Sequence, residues 1–210
     1  MKAYIINLEK RPDRLNDLNI PFEWERFIAI DGLELTKSIP NIPRLIRGHI
    51  GCVESHKKLL SYVKQLNLDY YIIFEDDVEL CNNFEISLKK AIDELPFDWD
   101  LLYIGGWNLG EIKKYSEHLN IAEKVYTTHA YMIRNKFIDV VLQLLSNQNI
   151  NNYNPNECWK IDLLFSQVLT KGKCFICSPL LAWQRSGFSD IVGKITDNTH
   201  LKNNIIDDIH

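Results

Sequence analysis

The chain has 210 residues, 46% of them hydrophobic and 25% charged, enough apolar content for one large domain or two small ones and too much for a disordered chain. A formal net charge of −4 gives no basic excess of the kind that draws a protein to nucleic acid or anionic lipid, so no nucleic-acid partner is expected. Five cysteines (Cys52, Cys81, Cys158, Cys174 and Cys177) are an odd number in a long chain and do not read as a secreted disulfide framework.

The first segment, AYIINL (3–8), is a continuous apolar run, the pattern of a strand covered on both faces. It is too short for the apolar region of a signal peptide, and no later segment approaches the roughly 18 apolar residues of a membrane span. The expectation is a cytoplasmic protein with no transmembrane segment, compatible with peripheral membrane contact. RPDRLNDL reads as a turn into a short helix, and FIAIDG (27–32) as a second strand stopped by Gly32. LTKSIPNIPRLIRG is then a loop punctuated by Pro40 and Pro43.

From His49 to about Leu66 the period becomes helical: Ile50, Val53, His56, Leu60 and Val63 recur at spacings of three and four and share one face. His56 therefore sits in the apolar stripe, either as a core histidine or as a group placed at a site. After it comes YYIIFEDDVEL (70–80), a buried run ending in three acids. Asn82 or Asn83 caps the next helix, with Phe84, Leu88, Ala91, Ile92 and Leu95 on one side. LLYIGG (101–106) and KVYTTHAYMI (124–133) read as strands, Asn135 as the cap of a helix through Leu145, and WKIDLLFSQVL as a helix after the loop NNYNPNE. KCFICSPLLAWQ is the last strand, its CxxC pair read as ordinary buried thiols, and QRSGFSDI leads into a polar tail. Strands alternating with amphipathic helices predict an α/β fold with a mostly parallel central sheet flanked by helices.

In open α/β sheets the ligand site lies outside the carboxyl ends of the strands, where Glu75, Asp76 and Asp77 are expected. Adjacent carboxylates repel, so the cluster calls for solvation or a cation, and oxygen ligands suit Mg²⁺ or Mn²⁺. If the strand continued through the acids, Glu75 and Asp77 would share one face and Asp76 would take the other.

The motifs INLEKRPDRL, AIDG, GCVESH, FEDDVEL, FDWDLLYIGG, TTHAYMI and QRSGFSDI, in that order, resemble glycosyltransferase family 25, the LPS-biosynthesis and procollagen-galactosyltransferase-like group. The resemblance implies a GT-A-like (Rossmann-like) fold as a single domain over 1–210, with a nucleotide-binding half at about 1–107 and an acceptor-side half at about 108–200. It also implies a UDP-sugar donor, a Mn²⁺ or Mg²⁺ ion, and inverting transfer of a hexose, galactose before glucose, to a glycan or glycolipid acceptor. By this mapping Glu75 and Asp77 are metal ligands, with Asp77 direct, and Asp76 contacts the ribose. Asn7, Arg11, Arg14, Asp31 and His56 lie at the nucleotide, Thr128 and Tyr131 border the sugars, and Gln184, Ser189 and Asp190 match the C-terminal signature. Glu54 departs from the small or apolar residue usual in its motif. An inverting transfer needs a base on the acceptor hydroxyl; Asp162 is the first candidate, with Asp100 and Glu157 in reserve.

The expected acceptor is a lipooligosaccharide core, the alternatives being collagen-type hydroxylysine or a non-catalytic glycan-binding role on the same fold. A phosphoryl-transfer enzyme of the haloacid-dehalogenase or receiver type would need its nucleophilic Asp near the first strand, which instead ends in Asn7 and Leu8. Oligomeric state and donor linkage have no sequence signal.

Overall fold

The computed structural model describes residues 2–199. Strand β1 (Ala3–Leu8) is buried along nearly its whole length, as its unbroken apolar run predicts. A 3₁₀ turn (Pro12–Asp17) returns the chain to β2 (Trp24–Ala29), which starts three residues before the expected segment. Gly32 does more than stop a strand: it opens the short helix α1 (Gly32–Leu35), which Asp31 caps by accepting from the Leu33 amide at 2.9 Å. Helix α2 (Arg44–Gln65) begins five residues earlier than the periodicity suggested, directly after Pro43, whose fixed φ suits a helix entry. Its expected stripe of Ile50, Val53, His56, Leu60 and Val63 is buried throughout.

Strand β3 (Tyr70–Glu75) ends at the first of the three acids; Asp76 and Asp77 form a turn into β4 (Val78–Leu80). Helix α3 (Phe84–Asp93) follows Asn83, which takes a left-handed φ of 61° and makes no side-chain cap bond. After β5 (Leu101–Tyr103) the chain makes short pairings that have no clear period in the sequence: β6 (Trp107–Asn108), β7 (Lys113–Lys114) and β8 (Leu119–Ile121). The expected strand at 124–133 is two, β9 (Val125–Tyr126) and β10 (Ala130–Arg134), broken where Thr127 adopts a φ of 68°. That conformation is costly for a β-branched residue and interrupts the ladder. Helix α4 (Asn135–Ser146) has Arg134 rather than Asn135 at its N-cap, and α5 (Ile161–Ser166) is shorter than WKIDLLFSQVL suggested. The last expected strand also divides, into β11 (Cys174–Cys177) and β12 (Ala182–Gln184), because Pro179 between them has no amide hydrogen to continue a ladder. Gly187–Ser189 (β13) and Lys194–Thr196 (β14) then pair as a hairpin where a polar tail was expected; residues 200–210 of that tail lie outside the described residues.

Eight strands form one sheet in the order β2-β1-β3-β10-β5-β11-β8-β7. The pairs β1–β2, β1–β3 and β5–β11 are parallel, and β10 is inserted antiparallel between β3 and β5. Alternate strand residues feed two cores. Tyr4, Ile6, Tyr71, Ile73, Tyr131 and Ile133 pack with α2, α4 and α5 on one face, while Ala3, Ile5, Ile72, Phe74 and Met132 pack with α3 on the other. The carboxyl ends of β1, β2 and β3 thus lie side by side, with α2 packed on one face of the sheet beside them.

Candidate functional site

Those three strand ends open onto a pocket of about 160 Å³. Its wall includes Glu75, Asp76 and Asp77, with Arg14, Asp31, Cys52 and His56. The acids therefore gather where the open-sheet rule predicts, but a turn rather than a continuing strand carries the last two, so each meets a different environment.

Glu75 points toward α2. Its Oε1 accepts from the Thr128 hydroxyl at 2.8 Å and lies 3.2 Å from His56 Nε2, while His56 Nδ1 lies 2.9 Å from the Tyr131 hydroxyl. Burial pushes the Glu75 pKa upward, yet the His56 and Thr128 hydrogen bonds and the nearby His129 outweigh it and hold the group below its ordinary value. Asp76 is buried and turns the other way, accepting from Asn7 Nδ2 at 2.6 Å on one oxygen and from Arg14 on the other. Burial still raises its pKa despite these partners.

Asp77 is the least compensated of the three. Its Oδ2 has only a long 3.5 Å contact from Gln184 Nε2, and its Oδ1 is buried with no hydrogen-bond partner. Burial, then the charges of Glu75 and Asp76, push its pKa up to about 7. A cation would supply what this oxygen lacks, and a carboxylate beside two other carboxylates is suitable chemistry for a hard divalent ion.

The turn is clamped from behind by a residue that sequence reasoning missed. Arg185 donates from its amide to the Asp77 carbonyl at 2.7 Å and from Nη2 to the Asp76 carbonyl at 2.8 Å, and it pairs with Asp17 at 3.1 Å. Its neighbour Gln184 was singled out, but a clamp made through backbone carbonyls has no residue pattern to read. Cys52 and Lys10 were also missed; both line the pocket, and Lys10 pairs with Asp31 at 2.6 Å.

Arg14, Asn7, Asp31 and His56 are brought to the acids. Arg11 stands at the outer rim, paired with Asp13 at 2.9 Å and with Asp190 of the C-terminal hairpin at 2.5 Å. Asp190 and Ser189 also line the pocket, so the closing motif folds back onto the opening one. Ser55 acts on the scaffold: its hydroxyl accepts from the Ile30 amide at 2.8 Å and fastens α2 to the end of β2.

Asp162 occupies the first turn of α5, its Oδ1 accepting from the Leu163 amide at 2.9 Å. It is outside the pocket wall, but its charge reaches His49 and Cys52 on α2. Asp100 is not brought to the site. It precedes β5, which runs in the direction of β3, and so lies at the amino edge of the sheet, held by Lys136 Nζ at 2.8 Å and the Lys173 amide at 2.8 Å. No described helix is long and apolar enough to cross a membrane.

A mostly parallel sheet flanked by helices, with an acidic turn at the carboxyl edge, is a GT-A-like α/β fold. Residues 1–156 match the sequence model described as "Glycosyltransferase family 25 (LPS biosynthesis protein)", and the chain belongs to that family. It is 26% identical over 224 residues to "Probable inactive glycosyltransferase 25 family member 3" of Bos taurus, covering 86% of this chain and 36% of the relative. It is 29% identical over 178 residues to "Procollagen galactosyltransferase 2" of Homo sapiens, covering 73% and 28% respectively. The chain thus spans about a third or less of the length of these relatives. Among solved structures, a glycosyltransferase involved in the glycosylation of the major capsid of PBCV-1 shares the fold, with a TM-score of 0.54 at 9% identity over 96% of this chain and 98% of that one.

Proposed function

We propose that this chain is a metal-dependent inverting glycosyltransferase that moves a hexose, galactose before glucose, from a UDP-sugar to a glycan or glycolipid acceptor such as a lipooligosaccharide core. The observation that carries the reading is Asp77: a pocket carboxylate with a buried, partnerless oxygen and a pKa pushed up to about 7 by its neighbours. An acid kept in that state suits a cation and the phosphates that come with it.

In this reading the hard cation, Mn²⁺ or Mg²⁺, is held by Asp77, with the Glu75 carboxylate adding charge from the other side of the turn. When bound, the ion stabilises the negative charge that builds on the diphosphate as the sugar leaves. Asp76, fixed by Asn7 and Arg14, presents a carboxylate of set orientation to the ribose. Asp31 and Lys10 flank the nucleotide at the end of β2. Asp162 accepts the proton of the acceptor hydroxyl as that oxygen bonds to the anomeric carbon and the bond to UDP breaks. The nucleotide-binding part covers about 1–107 and the acceptor-side part about 108–200, in a protein working on the cytoplasmic side of a membrane.

The family description supports the lipooligosaccharide acceptor, and the human relative's name supports galactose and keeps a collagen-type acceptor as the alternative. A second reading, glycan binding without catalysis, is favoured by the bovine relative, which is named inactive. Release of UDP from UDP-galactose separates them. The transferase reading expects slow release that needs Mn²⁺, stops with EDTA, and exceeds release from UDP-glucose. No release from either sugar, with or without an oligosaccharide core acceptor, would replace it with the binding reading.

A further inference from the structure

Cys52 and His56 are four residues apart on α2, so their side chains leave the same face of the helix, and Glu75 reaches the same place from the end of β3. The thiol sulfur, an imidazole nitrogen and a carboxylate oxygen lie within 4.8 Å of one another, and all three residues line the pocket. His56 Nε2 and Glu75 Oε1 are 3.2 Å apart. That separation is close to the edge, roughly 3.3 Å, of a tetrahedron with metal–ligand bonds of about 2.0–2.1 Å.

We propose that Cys52, His56 and Glu75 form a site for a thiophilic divalent cation, Zn²⁺ by donor set, distinct from the hard-cation position at Asp77. Sulfur, nitrogen and carboxylate oxygen together are zinc ligands, whereas Mg²⁺ and Mn²⁺ favour oxygen alone. Three protein ligands leave the fourth position facing the pocket, open to water or an incoming ligand.

The surroundings already orient two of the three ligands. The Tyr131 hydroxyl, 2.9 Å from His56 Nδ1, can accept a hydrogen bond from Nδ1–H, which keeps the proton on that nitrogen and leaves the Nε2 lone pair for the ion. Thr128 holds the Glu75 carboxylate at 2.8 Å. Binding requires Cys52 to swing inward and give its proton to the buffer, and the His56–Glu75 hydrogen bond is exchanged for two metal bonds. The other comparable group among the described residues, Glu94, Glu117 and His118, offers no thiol, and Glu94 already accepts from Ser116 and twice from His118. The site does not depend on the sugar-transfer reading.

Titration of the full chain with Co²⁺ tests it by spectroscopy, without any activity measurement. The proposal expects a thiolate-to-cobalt charge-transfer band with the visible bands of tetrahedral Co²⁺, bleached by Zn²⁺ and not by Mg²⁺. The bands should vanish in Cys52→Ser, persist in Asp77→Ala, and form with about tenfold weaker affinity in Tyr131→Phe. In the unaltered protein Zn²⁺ should also slow alkylation of Cys52, mapped by mass spectrometry, at least tenfold, a readout that does not rely on a variant folding. Absence of the bands, their survival in Cys52→Ser, or alkylation of Cys52 at an equal rate with and without Zn²⁺ would each overturn the site. Loss of the bands in Asp77→Ala would overturn its separateness from the hard-cation position.

Discussion

Three consecutive carboxylates behave as three different groups because the turn after β3 sends each to a different wall. Glu75 is satisfied by His56 and Thr128, Asp76 by Asn7 and Arg14, and Asp77 is left short of partners. The consequence for stability has a definite sign. Asp77 is raised from 3.8 to about 7, so its contribution to stability is greatest at acid pH and is lost as pH rises through that window, where ionisation in the fold is resisted. In EDTA, Asp77→Asn should therefore melt higher than the parent at pH 8, with the difference shrinking toward pH 5; each 1 kcal/mol is worth roughly 2–4 °C at this size. Thermal melts at the two pH values check this, and an equal or lower melting temperature at pH 8 would mean that Asp77 is paired. Asp162→Asn should leave UDP affinity within about twofold while lowering the transfer rate about 10²-fold or more, the scale of a lost general base. A variant that transfers at the parental rate moves the base elsewhere, with Glu157 next to be tried.

At the scale of elements, the site depends on how closely α1 and α2 approach. A Cβ on Gly51 would stand 2.6 Å from the Gly32 amide nitrogen and 2.7 Å from the Ile30 carbonyl, backbone atoms that cannot step aside singly. Gly51→Ala should push α2 outward, carrying Cys52, Ser55 and His56 away from the strand ends, and cost about 1–3 kcal/mol of stability. Denaturant unfolding and UDP affinity should both suffer; an unaltered midpoint would mean that the helices slide apart freely. The elements that carry strong periodicity were legible in the sequence: β1 and β3 as continuous apolar runs, α2 and α3 as apolar stripes. Those that failed did so for local reasons. The segment 124–133 broke because Thr127 takes a backbone conformation that its residue type disfavours, and the hairpin at 187–196 was hidden because its exposed strands bury too little to alternate. The acids were visible as a cluster, but their division of labour was not, since it follows from a turn whose clamp, Arg185, works through backbone carbonyls.

Across the whole molecule, residues of the opening and of the closing motif gather at the carboxyl edge of β2, β1 and β3. Arg14 reaches Asp76 and the Phe188 carbonyl, and Arg11 reaches Asp190, so the first and last motifs of the sequence meet over the pocket. Residue order alone does not suggest that meeting, because long-range ion pairs leave no periodic trace. The reserve base Asp100 shows the same limit: its place before a strand was readable, but the direction of that strand, set by the inserted antiparallel β10, puts it at the far edge.

The most direct measurement is a calorimetric titration of UDP into the full chain with Mn²⁺ and with EDTA, repeated on Asp77→Ala. Saturable binding that requires Mn²⁺ and falls at least tenfold in Asp77→Ala is the predicted result. Binding of equal strength in EDTA, or undiminished in Asp77→Ala, would contradict a metal–nucleotide site built on the acidic turn.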